Sequence, residues 1–438
     1  MIAVLGAGES GLGAAILAKK NGLDVFVSDL GLIKATYKVE LNKNNISWEE
    51  GMHSEQKILS ADLLIKSPGI PETKLLAKAR TKGIEVLSEI EFAFRFCKGK
   101  IIAITGSNGK TTTATLLNHL LKGANFDVAL AGNIGASFAR SLANNDHEYW
   151  VLELSSFQLD DIHQFKPFIA IVLNISPDHL DRYQGKMENY VASKMRITEN
   201  QTKNDYFIYW NDDTWLKKNL HKVKAQLLPF GEQIITKGAS LIDNKININS
   251  NLEQLTMNIH ELALQGKHNS YNSMAGGIAA KLLGITNDIV RDCLSDFEKI
   301  EHRLEPVLQV YGVDYINDSK ATNVNAAWYA IDSMSRPVVW ICGGVDKGNN
   351  YEDLIPLVSK KVSAIICLGL DNSKLIKTFG ASVEVIMEAN TMRSAVKMAY
   401  KLANKGDAVL LSPACASFDL FANYEDRGRQ FKKQIRLL

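Results

Sequence analysis

The chain has 438 residues, 50 Lys and Arg against 48 Asp and Glu for a formal net charge of +2, with 46% hydrophobic and 22% charged residues. That length holds about three domains of ordinary size, and the composition is that of a globular protein, not a disordered or fibrous one. So even a charge balance gives no long-range field to draw in nucleic acid or an anionic membrane, and no run approaches the ~18 uninterrupted apolar residues of a membrane span.

Five widely spread cysteines (Cys97, Cys293, Cys342, Cys367, Cys415) form no Cys-x-x-Cys pair and have no His at ligand spacing, which argues against a disulfide scaffold or a zinc finger. The first residues lack the basic segment and apolar core of a signal peptide. A reduced, cytoplasmic, soluble protein is expected.

Short apolar runs alternate with helical patterns along the chain: Ile2–Leu5, Val25–Val27, Leu63–Ile65, Ile101–Ile104, Trp150–Leu152, Ile169–Leu173, Val338–Ile341, Ala364–Leu368 and Ala408–Leu411. Runs of this length between amphipathic helices predict strands buried on both faces of parallel sheets, so the fold class is α/β throughout. The pattern restarts twice with a glycine-rich loop, which places domains at 1–96, 97–297 and 298–438. Residues 204–258 are rich in Asn, Lys and β-branched residues and read as short strands with turns.

The first loop, Gly6-Ala7-Gly8-Glu9-Ser10-Gly11-Leu12-Gly13, follows a strand and precedes a helix over Ala14–Lys20, the context in which G-x-G-x-x-G lets a backbone approach a pyrophosphate. Asp29 ends the next strand, where a ribose would be held. The motif fits NAD and a nucleotide sugar alike.

The second loop, Thr105-Gly106-Ser107-Asn108-Gly109-Lys110-Thr111-Thr112, also joins a strand to a helix. Its amides can cradle phosphates, Lys110 can reach the β and γ oxygens, and a Thr hydroxyl can ligate Mg²⁺. Ile104 stands where the usual phosphate loop has its first glycine. Glu153 ends the strand Trp150–Leu152 and offers Mg²⁺ a carboxylate. The segment Asn174-Ile175-Ser176-Pro177-Asp178-His179-Leu180-Asp181-Arg182-Tyr183 follows strand Ile169–Leu173, and strand C-terminal ends are where α/β sheets build their sites.

Further on, Gly266-Lys267-His268-Asn269-x-x-Asn272 opens a helix of small residues, and Glu301-His302-Arg303 opens the last third. Three polar clusters then follow apolar strands: Asn317-Asp318-Ser319-Lys320-Ala321-Thr322-Asn323, Gly343-Gly344-Val345-Asp346-Lys347-Gly348 and Ser412-Pro413-Ala414-Cys415-Ala416-Ser417-Phe418-Asp419. They would line one crevice.

With T-G-S-N-G-K-T-T at Gly106, E-L-S-S-F-Q-L at Glu153, D-H-L-D-R-Y at His179, G-x-H-N-x-x-N at His268 and H-R at His302, the chain resembles the Mur ligases of peptidoglycan synthesis over its whole length. D-S-K-A-T-N at Asp318 and S-P-A-C-A-S-F-D at Ser412 are similar to the D-glutamate-adding member. The resemblance implies a Rossmann-like N-terminal domain, a central P-loop ATPase-like domain and a C-terminal Rossmann-like domain. It also implies ATP-dependent joining of D-glutamate to UDP-N-acetylmuramoyl-L-alanine through an acyl phosphate.

The residue roles below are those the resemblance implies. Gly106, Asn108, Gly109, Lys110, Thr111 and Thr112 hold the ATP phosphates, while Asn269, Asn272, Arg303 and Asp318 meet the base and ribose. Thr111, Glu153, His179 and a carbamylated Lys194 ligate two Mg²⁺ ions, with Lys110, His179 and Lys194 catalytic. Glu9, Ser10, Gly11, Asp29 and Ser67 bind the UDP end, and Asn133 the acceptor. Thr322, Lys347, Ser417, Phe418 and Tyr424 take D-glutamate, with Arg182 nearby. After Asp29 the chain departs from relatives, with Leu30-Gly31 in place of Thr and Arg. The expected state is a monomer with small-molecule substrates only.

Other readings weigh less. A folylpolyglutamate synthase shares the ATP loop but usually lacks a full N-terminal nucleotide domain. An NAD-dependent dehydrogenase leaves Lys110, Glu153 and His179 without a task. A non-catalytic, ATP-gated binding protein has no use for the clusters in the last third.

Overall fold

The computed structural model describes residues 1–249, 254–264, 266–297, 301–346 and 348–438. It divides into two compact units, Met1–Phe297 and Glu298–Leu438.

The first unit holds two sheets. β1 (Ile2–Leu5), β2 (Val25–Asp29), β3 (Ser47–Glu50), β4 (Leu63–Lys66) and β5 (Glu85–Ser88) form a parallel sheet in the order β3-β2-β1-β4-β5. The order reverses between β1 and β4, which opens a crevice at their carboxyl ends. The second sheet contains β6 (Lys100–Thr105), β7 (Val128–Gly132), β8 (Tyr149–Glu153), β9 (Ile169–Val172), β10 (Tyr206–Trp210), β11 (Gln226–Gly231), β12 (Gly238–Ile242), β13 (Lys245–Asn249) and β14 (Gln254–Asn258). Its order is β14-β13-β12-β11-β10-β9-β6-β8-β7. β6 therefore lies between β8 and β9, with Ile104 opposite Glu153 and Thr105 opposite Val172.

The second unit carries β15 (Glu305–Val310), β16 (Val313–Asn317), β17 (Val338–Cys342), β18 (Val362–Leu368), β19 (Val385–Ala389) and β20 (Ala408–Leu411), in the order β15-β16-β20-β17-β18-β19. The apolar runs read from the sequence fall on strands, with Leu173 just past the end of β9, and all their residues but the partly exposed Leu63 are buried.

Two expectations change. The sheets are not parallel throughout: β12, β13 and β14 pair antiparallel, as do β15 and β16. Asp243 and Asn244 take the left-handed conformation that a tight hairpin turn demands (φ 49° and 60°). In β13, Ile246 and Ile248 point inward while Asn247 and Asn249 stay half-exposed, and Ile248 meets Gly277 of the helix Lys267–Leu282, where a Cβ would lie 2.3 Å from its Cδ1. The first helix also begins earlier, at Glu9 rather than Ala14. A Cβ on Gly11 would sit 1.8 Å from the Gly6 carbonyl oxygen, so only glycine lets the loop turn directly into the helix.

In the first unit one apolar core runs through both sheets, from Leu12 and Ile16 to Phe138 and Trp150. The helices Glu9–Lys20 and Phe138–Asn144 pack closely at Gly13, where a Cβ would lie 2.2 Å from Ser137 Oγ and 2.9 Å from the Arg140 amide nitrogen. Beside them Glu89 is fully buried; Oε1 accepts from the Ala139 amide, while Oε2 has no hydrogen-bond partner.

Burial pushes the Glu89 carboxyl up to about 8, so it keeps its proton at neutral pH. In the unfolded chain the proton leaves near 4.5, so the native state binds more protons between 4.5 and about 8 and stability must fall as pH rises through that window. Glu89→Gln keeps the shape without the proton. Its thermal midpoint is expected to lack this decline between pH 5 and 8; parallel pH profiles for both proteins would refute it.

Candidate functional site

At the carboxyl ends of β1, β2 and β4, the side chains of the first motif gather around the Gly6 turn. Asp29 Oδ2 accepts from the Ala7 amide (2.6 Å) and Oδ1 from the Gly31 amide (2.8 Å). Ser67 Oγ donates to the Gly6 carbonyl (3.2 Å). Glu9, in the first turn of its helix, pairs with Arg140 Nε (2.8 Å) and accepts from the Ser137 amide, so it is tied to the second sheet's layer of helices. Ser10 is on the same first turn. Leu30 and Leu32 are exposed beside Asp29.

The second motif forms a phosphate-type loop between β6 and the helix Lys110–Gly123. Gly106 and Gly109 have φ of 150° and 83°, and a Cβ on Gly109 would lie 2.4 Å from Asn272 Oδ1. Asn272 thus packs on the loop, with its amide donating to Asn269 Oδ1 (3.2 Å). Asn108 exchanges two hydrogen bonds with Asn174, at 2.9 and 3.1 Å. Lys110 Nζ donates to the carbonyls of Gly106 (2.7 Å) and Ser107 (2.8 Å). Thr111 and Thr112 are buried in the first helical turn.

Glu153, buried at the end of β8, accepts from Thr111 Oγ1 at 2.7 Å and from Asn133 Nδ2 at 3.0 Å. Both donors are neutral and leave its charge uncancelled. A buried carboxylate held beside a phosphate loop by a Thr hydroxyl is the donor set a hard divalent cation requires. The structure therefore sets Asn133 against Glu153 as an orienting partner.

Lys194, on the helix Met187–Met195, is 2% exposed, and its Nζ donates to the Gly106 carbonyl oxygen (3.0 Å) that Lys110 also uses. It lies 4.6 Å from the centre of the Tyr190 ring. Burial, and then the charge of Lys110, drive its pKa well below the ordinary lysine value, against the weaker pull of Asp178 and Asp160. Two ammonium groups on one carbonyl would repel, which pushes Lys194 further toward its neutral form.

His179 adopts a left-handed backbone (φ 53°), with its ring edge on Phe157 (5.1 Å) and Nε2 3.7 Å from Asp178. Arg182, read from the sequence as a neighbour of the amino-acid site, stacks on Phe157 at 4.5 Å and donates to the carbonyls of Pro68, Gly69 and Ile70. The loop after β4 is thus held by the segment after β9. A second strut adds to it: Lys66 pairs with Asp161 at 2.8 Å, both buried. Burial alone would raise the Asp161 carboxyl, but Lys66 and Arg80 overcome it and hold it low.

In the second unit, Asp318 is buried at the end of β16, accepting from the Leu304 amide (3.2 Å) and Ser412 Oγ (2.9 Å). Burial pushes its carboxyl up to about 6, against the lowering effect of Arg303. Asp318 so fixes the backbone beside Arg303. The three polar clusters do meet: Gly343 N donates to Pro413 O, Val345 N to Ala416 O and Ala414 N to Ala321 O, at 2.8–2.9 Å. Ser417 is buried and Phe418 is 70% exposed. Thr322 is half-buried, and the Tyr424 ring lies under Lys320 Nζ at 5.3 Å. Lys347 lies outside the described residues.

Reading the sequence did not single out Lys66, Asp161, Arg140 or Arg427, and it took Asn174 only as the first residue of the segment that carries His179. Lys66 closes an apolar run, while Asp161, Arg140 and Arg427 carry no local signal, since the partners that give them a role lie elsewhere in the chain.

Family models match along the chain: "MurD N-terminal domain" over residues 1–75, "Mur ligase middle domain" over 104–280 and "Mur ligase, glutamate ligase domain" over 302–415. The chain is 56% identical to the UDP-N-acetylmuramoylalanine--D-glutamate ligase of Christiangramia forsetii and 53% identical to that of Bacteroides fragilis, each match spanning 100% of this chain and 99% of the relative. Among solved structures it is similar to the UDP-N-acetylmuramate-alanine ligase MurC of Thermotoga maritima (18% identity, TM-score 0.63, 100% and 99% of the two chains). It is also similar to the MurF ligase of that organism in complex with ADP (16%, TM-score 0.60, 88% and 97%). At such identities the structures show the shared fold. No helix among the described residues is long and apolar enough to cross a membrane. With its phosphate loop, buried Glu153 and three matching domain models, the chain belongs to the Mur ligase family, in the branch that carries the MurD type of N-terminal domain.

Proposed function

We propose that this protein is an ATP-dependent ligase that joins D-glutamate to UDP-N-acetylmuramoyl-L-alanine in peptidoglycan precursor synthesis, acting in the cytoplasm as a monomer. The observation that carries the reading is the convergence of Lys110, Thr111, Glu153 and Lys194 on one phosphate-type loop. The domain division is 1–96 for the UDP substrate, 97–297 for ATP and 298–438 for the amino acid.

Activation is needed because a carboxylate is a poor electrophile. Its oxygen attacks the γ-phosphorus of ATP, forming an acyl phosphate and releasing ADP. The amine of D-glutamate then adds to the acyl carbon, loses a proton, and the tetrahedral intermediate expels phosphate to leave the amide. Phosphoryl transfer of this kind is mostly positioning and charge compensation.

Loop amides from Gly106 to Thr112, with Asn108, Gly109 and Lys110, hold the phosphates. Asn269, Asn272, Arg303 and Asp318 serve the base and ribose. Glu9, Ser10, Gly11, Asp29 and Ser67 take the UDP end, and Asn133 orients both Glu153 and the acceptor. Thr322, Lys347, Ser417, Phe418 and Tyr424 hold D-glutamate.

Thr111 and Glu153 would hold one Mg²⁺, and His179 with a carbamylated Lys194 a second. Bound there, Mg²⁺ supplies positive charge to the phosphoryl oxygens. Carbamylation needs the neutral amine that burial of Lys194 favours: Nζ bonds to the carbon of CO₂, one C=O pair moves to oxygen, and the amine proton leaves.

The test is ADP release in the presence of Mg²⁺ and UDP-N-acetylmuramoyl-L-alanine. Release is expected to depend on D-glutamate and not on L-glutamate; indifference to D-glutamate, or equal use of both enantiomers, would overturn the substrate assignment.

A further inference from the structure

We propose that Arg427 is the positioning residue for the incoming amino acid, a single guanidinium that ties together the three strand-end loops on which Thr322 and Ser417 stand. The proposal rests on the D-glutamate reading above. Arg427 lies on the helix Tyr424–Ile435 and is 1% exposed. Its Nε donates to Ser319 Oγ (3.0 Å) and Nη2 to the Ser319 carbonyl (2.9 Å). Nη1 and Nη2 both donate to the Cys415 carbonyl (3.2 Å each), and Nη1 also to that of Gly343 (3.4 Å). The fork thus touches the loop after β16, the loop after β17 and the loop after β20, with its donors matched to oxygens set at fixed angles.

The rest of the junction agrees with a hub. Ala414, two residues into the last loop from Ser412, is left-handed (φ 59°), a strained state for a residue with a Cβ. Its amide is held by the Ala321 carbonyl and its carbonyl by Asn349, so the strain is fixed from both neighbouring loops. A Cβ on Gly344 would lie 2.1 Å from the Ala416 carbonyl oxygen, so the second and third loops touch at backbone distance. Loops closed this tightly are already ordered before a ligand arrives, which lowers the entropy lost on binding.

The charge matters as well as the fork. The partners of Arg427 are carbonyl and hydroxyl oxygens, none of them a carboxylate. Burial brings its pKa down to about 10, which still leaves it protonated at neutral pH, and the charges of Asp419 and Asp318 favour that protonated form. Arg427 thus brings a buried cation, with no carboxylate among its hydrogen-bond partners, to the loops on which the proposed dianionic amino acid would dock.

Arg427→Lys keeps the charge and loses the fork; Ser319→Ala removes one partner and disturbs the packing less. In steady-state assays of the full-length enzyme, Arg427→Lys is expected to raise KM for D-glutamate about tenfold or more, with KM for ATP and for the UDP substrate within about twofold. Ser319→Ala should move KM for D-glutamate the same way by about threefold. An equal rise in all three KM values, or a lower kcat with KM for D-glutamate unchanged, overturns the positioning role. Should ADP release by the wild type prove indifferent to D-glutamate, the functional reading falls, and hydrogen exchange judges the hub separately. Joint loss of protection in 319–322, 343–346 and 414–417 of Arg427→Lys supports it, and loss confined to the helix Tyr424–Ile435 overturns it.

Discussion

Lys194→Ala is expected to lower turnover about a thousandfold, the scale on which removal of one charge-stabilising group acts in a water-excluded site. Part of the activity should return when a small carboxylate such as formate is added. The lysine is buried, its amine is pushed toward the neutral form, and it shares the Gly106 carbonyl with Lys110. A neutral amine can take up CO₂ and become an anion, while an ammonium at this place would only add to the charge of Lys110. Formate in the cavity left by the side chain would replace the carboxylate end of that anion. Rescue should saturate with formate concentration and should not occur in Lys110→Ala, where the missing group is a cation. Absence of any rescue, with ATP binding intact by calorimetry, would rule out the carbamate and leave Lys194 as a packing residue.

Glu153→Gln carries the second large effect. The change is isosteric and removes only the charge: Thr111 can still donate to the amide oxygen, and Asn133 can turn its own amide to accept from the new NH₂. The fold should hold, with a thermal midpoint at or above that of the parent, because a buried carboxylate costs free energy. Activity should fall about 10²–10³-fold at millimolar Mg²⁺ and recover partly as the concentration rises, since a site that loses its anionic ligand binds the ion more weakly. Turnover within about threefold of the parent at low Mg²⁺ would show that Glu153 is not a metal ligand.

The strands and the two loops were legible because their signals are local. Ile2–Leu5, Ile101–Ile104 and Ala408–Leu411 are continuous apolar runs, and a run buried on both faces has to be apolar at every position. Gly106 and Gly109 mark positive φ, which a side chain disfavours. The hairpins of β12–β14 were partly legible, through the alternation of Ile and Asn in β13, but their antiparallel pairing was not, because period 2 reports which face is buried and not which way the neighbour runs. The first helix was placed too late, since its glycine-rich first turn has poor helix propensity and only the close approach of Gly11 to Gly6 explains it.

By itself the sequence determined the α/β class, the two glycine-rich loops, the acidic and basic groups at the strand ends, and the family that those motifs resemble. What the tertiary structure decided is which of those groups act on one another. Thr111 and Asn133 both turn to Glu153, Lys194 and Lys110 meet at one carbonyl, Arg182 grips the loop after β4, and Arg427 joins three loops from a helix that no motif marked. The reason is physical: charge compensation, desolvation and hydrogen-bond geometry depend on distances of a few ångström between residues tens to a hundred positions apart. Those distances are set by strand order and helix packing, which a linear pattern does not contain.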